Sequence, residues 1–376
     1  TYVEVLAPLS SVLFLVIFHK IFLRPFTNYH HYFSYILFFS ISIVSFLGFS
    51  ETLTGKISHT TSSYFYGLSF YTLSLAYLIF KQQKVGLIES FKISNPLLVA
   101  TGPVLIRFSS INHKNLGMRL QYFLPFVLVG IFFFQALSVP LTSVFFLIEE
   151  TDLISTIAFG IIFELFVYTN FCGLSLILFG LSGIFGYKIP LNFRQPFSSK
   201  NLIEFWRGWH VTLSAVLKLL FYDEARKYLP AHFAIFIVFF SSAMWHGVSY
   251  NFLLWGIFHS LTFILTMYLL KNNKPIFTNF LMLIGIVIGR IIFAESDLGR
   301  LFEKLKFQYT DFAVIQTLLD QPSAVLLALL MSLGLVLFEF FFKESKIMLK
   351  KNYKFLRSPK MLLILSLLFI LFVSDF

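Results

Sequence analysis

Charge is what this chain has least of: only 12% of its 376 residues are Asp, Glu, Lys or Arg, against about a quarter in an ordinary globular protein. A single cysteine, Cys172, leaves no intrachain disulfide and no thiolate metal site, and inside its apolar run it reads as a small packing residue. There is no HExxH or HxxxH pair, no GxSxG and no phosphate-binding glycine loop, so the usual signatures of zinc hydrolases, α/β-hydrolases and P-loop enzymes are missing. No shift in composition marks a soluble domain, and no inverted repeat of the transporter kind is visible. Nor does the start carry the charged, apolar and small blocks of a signal peptide. The chain begins at Thr1 rather than Met, which leads us to expect a truncated or processed start.

What the chain has instead is apolar length. Hydrophobic residues make up 57% of it, 52 of them Phe, and the mean hydropathy is +0.81. Apolar runs fall near 4–23, 32–49, 64–80, 122–147, 153–185, 231–246, 252–270, 277–294, 323–342 and 361–374. At about 20 residues per crossing, and with 153–185 long enough for one tilted helix or two short ones, this predicts about ten to twelve spans. The fold class expected is all-α, a polytopic integral membrane protein forming a single domain over 1–376. Phe stripes such as Ile131 to Phe134 and Phe340 to Phe342 read as lipid-facing and core packing rather than as a cofactor slot.

The formal charge of +11 sits at the ends of these runs: Lys20 to Arg24, Lys81 to Lys84, Lys188 to Arg207, Arg226 with Lys227, and Lys343 to Lys360. That is the placement of the positive-inside rule rather than a nucleic-acid surface. Two stretches do not fit a plain span. Residues 95–108 carry Gly102-Pro103, which breaks a helix and predicts a re-entrant segment lining a covered space. Residues 202–221 mix apolar residues with Glu204, Arg207, His210 and Lys218. There an interfacial helix would place Arg207, His210 and Ser214 near one face.

Two histidines concentrate the functional signal. His210 follows Trp209 and His246 follows Trp245, both in or beside long apolar stretches, where an imidazole is costly and marks a candidate site. A side chain titrating near pH 6.5 suits general-base work on a hydroxyl. The residues alone leave a packed, hydrogen-bonding role equally open.

The segment 192–260 carries a resemblance that narrows this. Glu204 to Ser214 reads EFWRGWHVTLS and resembles the EFWxRWHxSLS motif of the membrane-bound O-acyltransferase superfamily, in its bacterial branch of alginate O-acetylation and teichoic-acid D-alanyl transfer proteins. Met244 to Gly247 is similar to that branch's WHG motif. Gly67 to Thr72 is similar to its GISFYTF stretch, Gly102-Pro103 with Arg107 to its AGPIxR segment, and Gly173 to Gly186 with Asn192-Phe193 and Gln195-Pro196 to its glycine-rich NFxxPY region. Ala294 to Ser296 and Phe372 to Phe376 resemble its end. The likeness covers 67–376, with 1–66 read only as N-terminal helices. The chain departs from the pattern at Leu176 and Leu219, where the family has aspartates, and in lacking the family's Arg before the final Ala-x-Ser.

The resemblance implies a membrane O-acyltransferase that moves an acetyl or D-alanyl type group from a thioester donor to hydroxyls of an extracytoplasmic polysaccharide or teichoic-type polymer. It implies a catalytic His246, partly desolvated and so kept neutral, with His210, a position other branches often fill with Asn, as its partner on the developing oxyanion. Trp206, Arg207, Trp209, Ser214, Trp245 and Asn192 are the substrate-binding candidates, and no metal is expected. No cofactor is expected to stay bound; an acyl-carrier phosphopantetheine or coenzyme A thioester would be consumed as substrate, with Arg207 and Lys218 steering its phosphate. The expected surroundings are the lipid bilayer of a bacterial inner membrane, an envelope acceptor, possible help from a second envelope acyltransferase, and no nucleic acid. The alternatives are a lipid or protein O-acyltransferase and, from another class, a non-catalytic transporter or channel. The transporter would carry paired charges within the membrane, whereas histidines are the expected intramembrane ionisable groups here.

Overall fold

The computed structural model describes residues 109–110, 115–246, 249–308 and 312–341. The runs expected near 4–23, 32–49, 64–80 and 361–374, the Gly102-Pro103 segment, and the motif stretches at 67–72, Gly247 and 372–376 lie outside them. Helices dominate. The described strands are the two-residue pair Ser109–Ser110 (β1) and Tyr187–Lys188 (β2).

Among the described residues, five stretches are long and apolar enough to cross a membrane: Leu116–Leu147, Leu153–Ile184, Tyr250–Lys271, Pro275–Ala294 and Ser323–Phe341, with Ala231–His246 a shorter apolar helix. This is a multi-pass membrane protein. We number the described helices α1 (Leu116–Ile131), α2 (Val139–Leu147), α3 (Leu153–Ile184), α4 (Leu202–Gly208), α5 (Val211–Leu217), α6 (Asp223–Ala225), α7 (Ala231–His246), α8 (Tyr250–Lys271), α9 (Pro275–Ala294), α10 (Leu298–Leu305), α11 (Ala313–Leu319) and α12 (Ser323–Phe341). The described residues fall into two contact units, one with 212–260 and the other with 109–211 and 261–341.

In the larger unit, the run at 153–185 yields one unbroken helix, α3, of 32 residues ending at Ile184. Asp152 starts it, its carboxylate accepting from the amides of Ile154 at 2.9 Å and Ser155 at 3.1 Å, as an N-cap should. The run at 122–147 is continuous as well, but its middle, Phe132–Ser138, winds as a π-helix between α1 and α2. Pro140 follows at the start of α2; it has no amide to give back, and the preceding turn widens.

Helix α1 lies along α3 at very close range because glycines face each other. A β-carbon placed on Gly130 would sit 2.6 Å from the Gly173 carbonyl oxygen, and one on Gly173 would sit 2.8 Å from both the Gly130 oxygen and the Phe134 amide nitrogen. Small residues of this kind let membrane helices meet through their backbones. Gly173→Val is therefore expected to abolish most of the folded protein in detergent, read as loss of the monodisperse peak in fluorescence size-exclusion chromatography. A similar substitution at Gly334, which faces open space, should leave that peak in place.

At the far end of α9 the chain turns into the amphipathic α10. Lys304 is fully buried there, its ammonium 2.9 Å from Glu295 and 3.7 Å above the Phe159 ring centroid. Burial pulls its pKa down and Glu295 opposes that pull. Arg300 shares the same carboxylate at 3.5 Å.

Candidate functional site

The stretch from Asn192 to Val211 is a tight backbone construction rather than one long helix. Asn201 caps α4, its side chain accepting from the Glu204 amide at 3.0 Å, while the Glu204 carboxylate accepts from the Lys200 amide at 2.9 Å. The two ends of the helix start are thus satisfied reciprocally, in the manner of a capping box. The helix stops at Gly208, and His210 takes φ +44°. This corrects the expectation of a continuous helix over 202–221. The 3.6-residue spacing of Arg207, His210 and Ser214 does not run through the break.

The cause is tertiary. The Arg194 amide donates to the Gly208 carbonyl at 2.9 Å and the Val211 amide to the Asn192 carbonyl at 2.8 Å, so the single segment 192–194 pins the backbone just before Trp209 and just after His210. Left-handed backbone is uncommon outside glycine, with Asn, Asp and His the most tolerant residues. Asn192 itself is buried, and its amide nitrogen lies 3.4 Å from Ser175 Oγ.

Trp209 is the hub of this unit. Its ring stacks on Phe205 at 5.5 Å, meets Phe193 edge-on at 5.0 Å and lies 5.9 Å from Tyr168. The Arg290 guanidinium stands over it at 4.6 Å from the centroid. Arg290, on α9, is itself paired with Glu164 on α3, both deeply buried. A second buried polar contact follows one turn along α3, where the Tyr168 hydroxyl donates to Glu339 on α12. These groups correct the expectation that histidines would be the main ionisable residues within the membrane. A carboxylate or guanidinium alone in an apolar span is a functional candidate by default, and Glu164, Arg290 and Glu339 each carried that signal.

His210 is 7% exposed. Burial pushes its imidazole down to about 4, so it is neutral throughout the physiological range. Of the other candidates in this unit, Trp206 is half-buried, whereas Arg207 is exposed on α4.

The remaining candidates belong to the smaller unit. Trp245 is buried near the end of α7, while His246, the last residue of that helix, is exposed. Its ring meets Trp245 at 4.8 Å, Trp255 at 5.8 Å and Phe252 at 5.9 Å. The partial desolvation expected at His246 is not seen in its exposed side chain, whereas His210 is buried. Trp255 also touches His259 at 4.9 Å, a buried histidine of α8 stacked on Phe239 at 6.0 Å. His259 lies within the segment that drew attention in the sequence, and its place in the apolar run was the signal that could have singled it out. Ser214 is half-buried in α5. Lys218 is held by Asp223 at 2.6 Å, with both side chains substantially exposed, so this surface pair adds little stability.

Thus the structure brings Asn192, Trp209 and His210 into one unit, with Arg290 over the Trp209 ring, and sets Trp245 and His246 among aromatic rings in the other. Parts of the chain are similar to known proteins. A stretch of 158 residues is 28% identical to a probable alginate O-acetylase of Pseudomonas syringae, covering 39% of this chain and 30% of that one. Over 99 residues it is 33% identical to a peptidoglycan O-acetyltransferase of Helicobacter pylori, covering 25% and 19%. Over 123 residues it is 28% identical to a teichoic acid D-alanyltransferase of Bacillus subtilis, covering 30% and 31%. Each alignment spans less than a third of the relative's length. The family model of the membrane-bound O-acyltransferases matches residues 24–293, well over half of the sequence, and the chain belongs to that family.

Proposed function

We propose that the protein transfers an acyl group of the acetyl or D-alanyl type from a thioester to hydroxyls of an extracytoplasmic envelope polymer, working in the bacterial inner membrane. The observation that carries this reading is His246, an exposed imidazole at the end of an apolar helix and walled by Trp245, Trp255 and Phe252, inside the family-matched span. The relatives' names supply the substrate class: alginate, peptidoglycan and teichoic acid are all envelope polymers or exopolysaccharides bearing free hydroxyls.

The chemistry assigned to His246 is that of a general base. Its neutral nitrogen takes the proton as the acceptor oxygen attacks the thioester carbonyl. The tetrahedral oxyanion collapses, the carbon–sulfur bond breaks, and the imidazolium returns the proton to the departing thiolate. His210, neutral because it is buried, is assigned to donate a hydrogen bond to the oxyanion. Trp206, Trp209, Trp245, Asn192, Arg207 and Ser214 complete the proposed substrate-binding set. No resident cofactor is invoked; the phosphopantetheine or coenzyme A thioester is a substrate.

Mass analysis of envelope polymers from cells with the intact protein, a His246→Ala variant, or neither tests this reading. An ester present only with the intact protein supports it and names the group. An unchanged envelope beside a stable, inserted protein would move the acceptor to a lipid or protein.

For the donor, we place an acidic acyl carrier on the exposed basic side chains of Lys188, Arg194, Lys200 and Arg207, which lie in one unit. Complementary charge of this kind chiefly speeds and orients encounter. The double variant Lys188→Glu with Lys200→Glu should weaken carrier binding about tenfold at low salt, with the difference shrinking as salt rises. Carrier binding that stays the same at every salt concentration removes this docking surface.

A further inference from the structure

We infer that Arg290, held by Glu164, is a positioning residue that seats Trp209 and through it His210. The inference rests on the acyl-transfer reading for its kinetic readout, but its structural readout stands apart from that reading. A guanidinium and a carboxylate deep within apolar helices are costly to keep. Replacing such a pair by apolar residues of similar volume is often neutral or stabilising, so packing alone does not account for it.

The geometry gives it a task. Glu164 and Arg290 lie on α3 and α9, both candidate spans, and the guanidinium plane is spent on the Trp209 ring at 4.6 Å. The stacked Phe205 and the edge of Phe193 restrain the same ring. Trp209 is bonded directly to His210, whose left-handed φ of +44° must be imposed from outside. The backbone bonds to Asn192 and Arg194 fix where that turn is; the cation over the indole fixes how the Trp209 side chain lies in it. A tryptophan offers the strongest aromatic face to a cation, and arginine, unlike lysine, can also stack its plane on that face.

Two variants separate positioning from mere folding. Arg290→Lys keeps the charge beside Glu164 but loses the stacked plane. The double variant Glu164→Leu with Arg290→Met removes both charges and leaves neither one stranded, so it should fold even where single removals do not. Both proteins are purified in detergent with isotope-labelled histidine, and proton uptake by His210 is followed by nitrogen NMR. The expected result is that His210 titrates closer to 6.5 than to about 4, because the imidazole leaves its buried seat.

For the same folded proteins, kcat for transfer should fall about tenfold or more, the scale of a small misplacement, while the donor KM stays within about twofold. A His210 titration unchanged in the folded variants overturns the positioning role. An intact protein that transfers no acyl group sinks the acyl-transfer reading instead, and leaves the His210 titration as the deciding measurement.

Discussion

Removing the His246 imidazole is expected to cut ester transfer by about 10²-fold or more, the usual scale for loss of a general base, and to leave the amount of inserted protein unchanged. The second half of that expectation comes from position. His246 is the exposed final residue of α7, and the residue that anchors that end in the apolar interior is its neighbour Trp245. Truncating an exposed side chain at a helix end falls in the range of about half a kcal/mol or less.

Two variants refine the test. His246→Ala removes the base together with its aromatic contacts, and His246→Gln retains hydrogen-bonding capacity but cannot take up a proton near neutrality. Transfer should be lost in both, measured as ester per polymer by mass spectrometry and normalised to protein in the membrane. Activity retained by the Gln variant would make His246 a hydrogen-bonding group rather than a base.

The second large effect is on stability against pH, and it belongs to His210. In the folded protein its imidazole stays unprotonated down to about pH 4, whereas in an unfolded chain a histidine takes up a proton near 6.5. Between those values the unfolded form binds more protons, so stability rises with pH across the window. The contribution is fully present above about pH 6.5 and is lost as the pH falls toward 4. A shift of this size corresponds to about 3 kcal/mol.

His210→Asn is the informative control. Asn cannot titrate there and is among the residues that accept left-handed backbone. Unfolding in mixed micelles at pH 4.5 and 7.5 should show the intact protein losing more stability on acidification than the Asn variant, by roughly 2 to 3 kcal/mol. Equal losses would mean that His210 is not held neutral by the fold.

Much of the membrane architecture was legible as apolar length. The runs at 122–147, 153–185, 252–270, 277–294 and 323–342 correspond to the five spans, because roughly 20 apolar residues have few other stable fates. What could not be read was anything set by contacts distant in the chain. The break at His210 depends on backbone partners at Asn192 and Arg194, and local periodicity across 202–221 argued for a continuous helix. Glu164 and Arg290 are separated by 126 positions and Tyr168 and Glu339 by 171; each could be flagged as a lone polar group in an apolar run, but its partner could not be named. The Trp-His signatures were legible as motifs. That His210 is buried while His246 is exposed required the fold.

The π-helical stretch Phe132–Ser138 sets the azimuth of everything after it. Gly130 faces Gly173 on α3, and Ser138 accepts a hydrogen bond from Asn170 of that helix at 3.0 Å, so both must look the same way. In an unbroken α-helix, eight residues turn about 80° past two full revolutions. Widening one turn to take in an extra residue holds the rotation back by about 100° and brings the two within about 20° of alignment. Deleting a single residue there would leave the span just as apolar while swinging the side chains from Val139 onward off α3. The number of residues between the two contacts therefore carries information that no hydropathy profile records.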